Sequence, residues 1–296
     1  MSPGHLTRRW ERLSKHSAIG RHSAHPDGDG LVSSRQLVEH NLLGTINMLE
    51  YCRRHHAGFI LLSTSRVYSM LPLVGLPLTV IDGAYRPVLD DRLTGMSEQG
   101  VSEAFPTSAP VSLYGATKLA AEQLALEYGA TFDFPVWINR CGVLAGAGQF
   151  GRPDQGIFSF WIHSWRQRHP LTYVGFGGHG YQVRDCLHPL DLILILDQQI
   201  GAGTGATQSR IHNVSGGVVS ARSLRQCSEW CAARFGRHEV GSSAATRVFD
   251  IPWMALDSRL ATQQWQWSPT RPTDAIFEEI AQHAEANPDW LERSAP

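Results

Sequence analysis

The chain has 296 residues, 42% of them hydrophobic and 18% charged, with a formal net charge of −1. This is the composition of a globular chain long enough for one large or two modest cores, and it sets up no global field favouring nucleic acid or a membrane surface. Five cysteines do not make a disulfide framework at this length, no apolar run reaches the ~20 residues of a membrane span, and the N-terminus lacks the apolar core of a signal peptide; a reducing, cytoplasmic setting fits these exclusions.

Residues 1–32 are rich in His, Gly, Asp and Ser and carry no helical or strand period, so they read as loop or disorder. Ser33 and Gln36 have the spacing of a capping box, and Leu37, Asn41, Thr45, Met48 and Cys52 then recur as on a helix that Gly58 closes. "FILLS", 59–63, is apolar on both faces, as in a strand buried in a parallel sheet. A long Pro- and Gly-rich connection over 66–110 follows, a length that tends to be functional. "YGATKLAAEQLALEYG" predicts a helix ending at Gly129, and "FPVWIN", 134–139, the next parallel strand. This rhythm is that of an α/β chain. From residue 146 onward short strands alternate with helices in what reads as a smaller mixed α/β lobe, with a last helix near 273–284. The predicted division is 1–32, 33–145 and 146–296, with segments of the last part interleaved into the core domain.

Two constellations carry chemistry. Ser63 and Thr64 close a buried strand, where open α/β sheets bind ligands, although turn and capping chemistry also favours hydroxyls there. Tyr114 and Lys118 are four apart on one helix face, so an ammonium would stabilise the phenolate and make the tyrosine a general base for a hydroxyl. Cys227 and Cys231 have no second ligand pair at zinc spacing and read as core residues, and no metal site is expected.

"STSRVY", "YGATK", "RCGVLAGAGQFG" and "GYQVRDCLHPLDL" together resemble the extended short-chain dehydrogenase/reductase superfamily of nucleotide-sugar epimerases and dehydratases. Within it, "QFGRPDQG", "GHGYQVRDCLH" and "RVFDIPWMALDSRLA" look most like CDP-paratose 2-epimerases, also called CDP-tyvelose epimerases. The resemblance implies a Rossmann-like doubly wound parallel sheet, N-terminally incomplete, with a smaller substrate lobe. It implies Thr64, Tyr114 and Lys118 as catalytic residues, with Asn41, Ser63, Tyr114 and Lys118 near a bound NAD. It further implies Arg184 and Arg247 as clamps on a substrate diphosphate, with Gln155 and Gln182 as substrate-loop candidates. The implied substrate is a nucleotide-sugar, a CDP-linked deoxyhexose favoured, epimerised at C2 by transient oxidation to a keto sugar; a homo-oligomer is left open. Ser65 and Arg66 stand where a dehydratase of this group carries Asp-Glu, which argues against dehydration.

The glycine-rich fingerprint that binds dinucleotide pyrophosphate has no counterpart before Ser33, since Gly20, Gly28 and Gly30 follow no apolar strand. The expectation is therefore a truncated or frameshifted relative with impaired NAD binding and residues 1–32 foreign to the family. The alternative function is an inactive remnant, or a module that binds nucleotide-sugars without turning them over. An open edge on the 59–63 strand is predicted to invite association.

Overall fold

The computed structural model describes residues 33–89, 93–152, 155–202, 209–245 and 250–294. The predicted loop over 1–32 lies outside them.

The Ser33 hydroxyl accepts from the Gln36 N–H and the Gln36 side chain accepts from the Ser33 N–H, so the capping box starts α1 (Ser34–Val38). A π-helical turn, Glu39–Leu43, joins it to α2 (Gly44–His55) and turns Asn41 inward. His56, in the left-handed region, closes α2 two residues before the expected glycine. β1 (Phe59–Thr64) follows. The long connection folds into a short helix, Met70–Val74, and two small hairpins, Leu78–Ile81 with Ala84–Pro87 and Met96–Ser97 with Gly100–Val101.

α3 (Ser112–Phe132) carries the Tyr114 face. It runs past Gly129, the expected stop, to a left-handed Asp133. Gly129 serves packing instead, because a Cβ there would meet the Val136 side chain at 2.6 Å. β2 (Val136–Cys141) is buried throughout and pairs in parallel with β1, Phe59 opposite Val136 and Thr64 opposite Cys141. Next come α4 (Ile157–Arg166), β3 (Leu171–Val174), β4 (Val183–Arg184) and α5 (Pro189–Gly201). β5 (Ile211–Val214) returns to the first sheet, giving the parallel order β1-β2-β5 among the described residues. The chain finishes through α6 (Leu224–Phe235), β6 (Val240–Ser243), β7 (Trp253–Met254), α7 (Arg259–Trp265), α8 (Thr273–Ala286) and α9 (Trp290–Ser294).

Helices cover both faces of the β1-β2-β5 sheet. Leu61, Val136 and Ile138 pack with Leu49 of α2 and with Ala121 and Ala125 of α3. Trp137, Cys141 and Val214 pack on the other face with Leu192, Ile195 and Leu196 of α5 and Trp265 of α7. Burying each such Leu or Ile contributes about 1.5–3 kcal/mol, enough to fix which strand face each helix covers. A separate core joins α4, α6 and α8 and takes in Cys227 and Cys231. Here β3 pairs with β6; β4 lies in parallel with β7 in another core, where Val183 packs with Trp253 and Met254. The architecture is an α/β Rossmann-like sheet with a second, mixed α/β layer, and the carboxyl ends of β1 and β2 meet the first turns of α3.

Candidate active site

The site begins at the turn after β1. Ser65–Val67 form one turn of 3₁₀ helix in which the Arg66 N–H donates to Thr64 Oγ1 at 3.2 Å. That bond occupies one Thr64 acceptor and leaves its hydroxyl proton to turn toward Tyr114, whose phenolate Thr64 favours. Gly115 makes the approach possible: a Cβ there would sit 2.2 Å from the Arg66 carbonyl oxygen. The glycine of "YGATK" is thus a contact surface, letting the N-terminus of α3 lie against the Thr64 turn.

Tyr114 is half-buried, and burial pushes its phenol above the ordinary tyrosine value while the Thr64 hydrogen bond and the Arg66 charge pull it back. The sequence reading gave the phenolate-stabilising charge to Lys118; the Arg66 guanidinium is a second charge that favours the phenolate. Lys118 is 7% exposed and donates from Nζ to the Leu62 carbonyl at 2.7 Å. Burial holds its pKa below the usual lysine range, against the opposing pull of Cys141 and Glu122. Phe59 donates its N–H toward β2, to Pro135 O at 2.8 Å. Alternation along the strand then turns the Leu62 carbonyl to the opposite edge, so the ammonium caps the side of β1 away from β2.

Asn41 donates from Nδ2 to Thr117 Oγ1 at 3.0 Å, and Thr117 donates to the Tyr114 carbonyl at 2.8 Å, so the buried amide braces the first turn of α3. Ser63 points into the layer between β1 and α3, its hydroxyl donating to the Glu122 carboxylate. Arg184 donates from Nη1 to Val183 O at 2.7 Å, and from Nη2 to Asp250 Oδ1 and Ile251 O at 2.8 Å each. Its charge reaches Arg66, whose guanidinium is pushed down to about 10 by burial first and by Arg184 second, while Asp250 and Tyr114 oppose. Arg184, Asp250, Arg66 and Tyr114 therefore form one electrostatic cluster. Gln182 lies two residues before Arg184 and donates to Val174 O at 2.8 Å. Gln155 closes a backbone turn with Arg152, whose guanidinium donates to Ser294 O at 2.9 Å, so the contacts of that loop run toward the C-terminal helix. Arg247 lies outside the described residues.

Arg66 and Glu122 are the residues that sequence reasoning missed. Arg66 was visible as a guanidinium two residues beyond Thr64. Glu122 was visible as the next rung of the Tyr114–Lys118 spacing.

A model of the NAD dependent epimerase/dehydratase family matches residues 22–214. The chain belongs to the NAD dependent epimerase/dehydratase family. The match begins inside the 1–32 segment that the sequence reading set apart. Among curated proteins, the chain is 29% identical over 245 residues to CDP-paratose 2-epimerase of Salmonella typhi, covering 78% of this chain and 66% of that protein. It is 28% identical to dTDP-glucose 4,6-dehydratase of an Actinoplanes species, covering 69% of this chain and 54% of that protein. The chain thus spans two thirds or less of the length of these relatives. Of the solved structures, UDP-glucuronic acid 4-epimerase from Bacillus cereus in complex with NAD superposes with a TM-score of 0.63 at 23% identity, over 86% of this chain and 70% of that one. UDP-glucose 4-epimerase from Thermotoga maritima with UDP-glucose gives 0.67 at 15%, over 86% and 72%. At these identities the superpositions establish the Rossmann-like fold.

The described residues fit one end of an NAD molecule. Lys118 has two ammonium protons beyond the one given to Leu62, and Tyr114 and Thr64 stand beside it at the carboxyl end of β1, so these side chains suit a nicotinamide ribose. Among the described residues no glycine-rich strand-to-helix turn offers itself to the pyrophosphate.

Proposed function

We propose that this chain is an epimerase of nucleotide-sugars, acting at C2 of a CDP-linked deoxyhexose. The observation that carries the reading is the close packing of Gly115 on the Arg66 carbonyl, which sets the first turn of α3, with Tyr114, against the Thr64 turn, with Lys118 one turn further along α3. NAD, when bound, supplies hydride acceptance and return. Tyr114 takes the proton of the reacting sugar hydroxyl as general base and gives it back as general acid. Thr64 donates to the phenolate as it forms, and the Arg66 charge stabilises the same anion. Lys118 holds the ribose and keeps a positive charge at the strand edge. The Arg184 fork suits diphosphate oxygens, provided that Asp250 shares it. Arg247 and Gln182 are assigned to the same substrate end by resemblance, and Gln155 to a substrate loop.

The C2 position and the cytidine base rest on the likeness to the Salmonella protein. The test is incubation of the purified chain with NAD and CDP-paratose, with product read by proton NMR. The C2 epimer is expected from the wild type and not from Tyr114→Phe. Binding of CDP without conversion would favour a nucleotide-sugar-binding role, and neither binding nor conversion would overturn the proposal.

A further inference from the structure

Tyr114, Lys118 and Glu122 recur every four residues on α3 and so share one face. Glu122 is 0% exposed. Its carboxylate accepts from the Ser63 hydroxyl and from a two-pronged Arg140 fork, Nε to Oε1 at 3.2 Å and Nη2 to Oε2 at 2.6 Å. Arg140 donates from Nη1 to the Tyr68 hydroxyl at 3.3 Å and lies over its ring, 5.1 Å from the centroid. Tyr68 donates onward to Asn213 Oδ1 at 2.6 Å. The network therefore touches all three strands, Ser63 on β1, Arg140 on β2 and Asn213 on β5. It also grips both flanks of the Thr64 turn: Ser63 precedes Thr64, and Tyr68 follows the 3₁₀ turn that holds Arg66.

A buried ion pair is a poor source of net stability, because the cost of desolvating two charges offsets their attraction. What the pair does supply is register, since bidentate geometry tolerates little sliding. We propose that Glu122 is a positioning residue for the Tyr114–Lys118 pair, locking α3 to the two flanks of the Thr64 turn through Ser63 and Arg140. Its catalytic meaning rests on the epimerase reading; its structural content does not. Glu122 and Cys141 are the groups that favour the Lys118 charge against burial. Without the carboxylate, Arg140 becomes an unpaired cation in the same layer, and both the placement and the charge of Lys118 change.

The chain has two lysines, Lys15 and Lys118. Protein grown on ¹³C-lysine gives two Cε signals, assigned with Lys15→Arg. The Lys118 midpoint is expected below the ordinary lysine range in the wild type and lower still in Glu122→Gln. In the same variant kcat for sugar epimerisation is expected to fall about tenfold or more with KM little changed. Glu122→Leu with Arg140→Met removes both charges at similar volume, a change that generally preserves folding, and it is expected to displace the Lys118 signal and midpoint as well. A folded variant with the wild-type Lys118 midpoint, and with the wild-type pH profile where turnover is measurable, overturns the proposal. Failure of both variants to fold also overturns it, since the pair would then support the core alone. The lysine signal needs no turnover, so a chain inactive as an epimerase leaves this test intact.

Discussion

Lys118 Nζ lies 2.7 Å from the Leu62 carbonyl oxygen, on the edge of β1 that faces away from β2. The ammonium satisfies a strand acceptor while remaining buried, which makes it costly to the fold. The sign follows from its depressed pKa: the folded state disfavours the proton, so stability is fully present above the ordinary lysine value and is lost as pH falls through the folded one. The penalty grows as pH falls below the ordinary lysine value.

Lys118→Met is therefore expected to raise the melting temperature at pH 7 by about 2–4 °C while abolishing epimerisation. Relief of the buried charge outweighs the lost hydrogen bond because Leu62 is only half-buried and its carbonyl can take water. Scanning calorimetry at pH 7 and near pH 10 checks this, with a smaller gain expected at the higher pH.

Thr64 is predicted to set the proton affinity of Tyr114. Thr64→Val removes the hydrogen bond that favours the phenolate, so the Tyr114 pKa rises further. A base must be deprotonated to act, and the acid limb of the kcat/KM profile accordingly moves to higher pH, with a loss of about 10²-fold at neutral pH. Thr64→Ser keeps the hydroxyl and is expected to stay near wild type. Arg66→Met is expected to move the same limb in the same direction.

The Arg184–Asp250 pair, 2.8 Å apart and 17% exposed on each side, leads to opposite predictions for its two members. Arg184→Ala is expected to weaken CDP binding about tenfold or more in calorimetry. Asp250→Asn removes the carboxylate that competes with diphosphate for Nη2, and is expected to tighten it. Unchanged affinity in both variants removes Arg184 from the substrate site.

His163 makes the fold acid-sensitive. It is buried at the α4–α8 contact with Nε2 3.3 Å from His283 Nδ1, and burial pushes its pKa down to about 4. Its stabilising contribution is complete above about pH 6.5, the unfolded value. It is lost progressively as pH falls from there toward about 4. The loss amounts to up to about 3 kcal/mol. His163→Leu is expected to flatten the fall in melting temperature between pH 7 and pH 5.

The sheet was legible because β2 is buried on both faces, β1 is packed on both, and each reads as an apolar run, and α1 announced itself through Ser33 and Gln36. The interior of α3 was not. Its buried face carries Gly115, Lys118 and Glu122, so small and charged residues stand where a periodicity reading looks for apolar ones. The strand also turns Ser63 toward α3, alongside Leu61, an alternation that the motif "STS" does not reveal by itself. The effect of Arg66 on Tyr114 was not legible because a 3₁₀ turn has no hydrophobic period; only the fold returns its charge to Tyr114. The π-helical turn at Asn41 left no mark in the spacing of α1 and α2, yet it places the amide against Thr117.

The central claim is that Thr64, Tyr114 and Lys118 form the proton-transfer centre of a C2 epimerase. The most direct measurement uses CDP-paratose deuterated at C2, incubated with the wild-type chain and NAD in ordinary water and followed by NMR. Transient oxidation and return predicts the C2 epimer with its deuterium retained, and no product with Tyr114→Phe. Product that has exchanged its deuterium for solvent protons, or undiminished product from Tyr114→Phe, would contradict it.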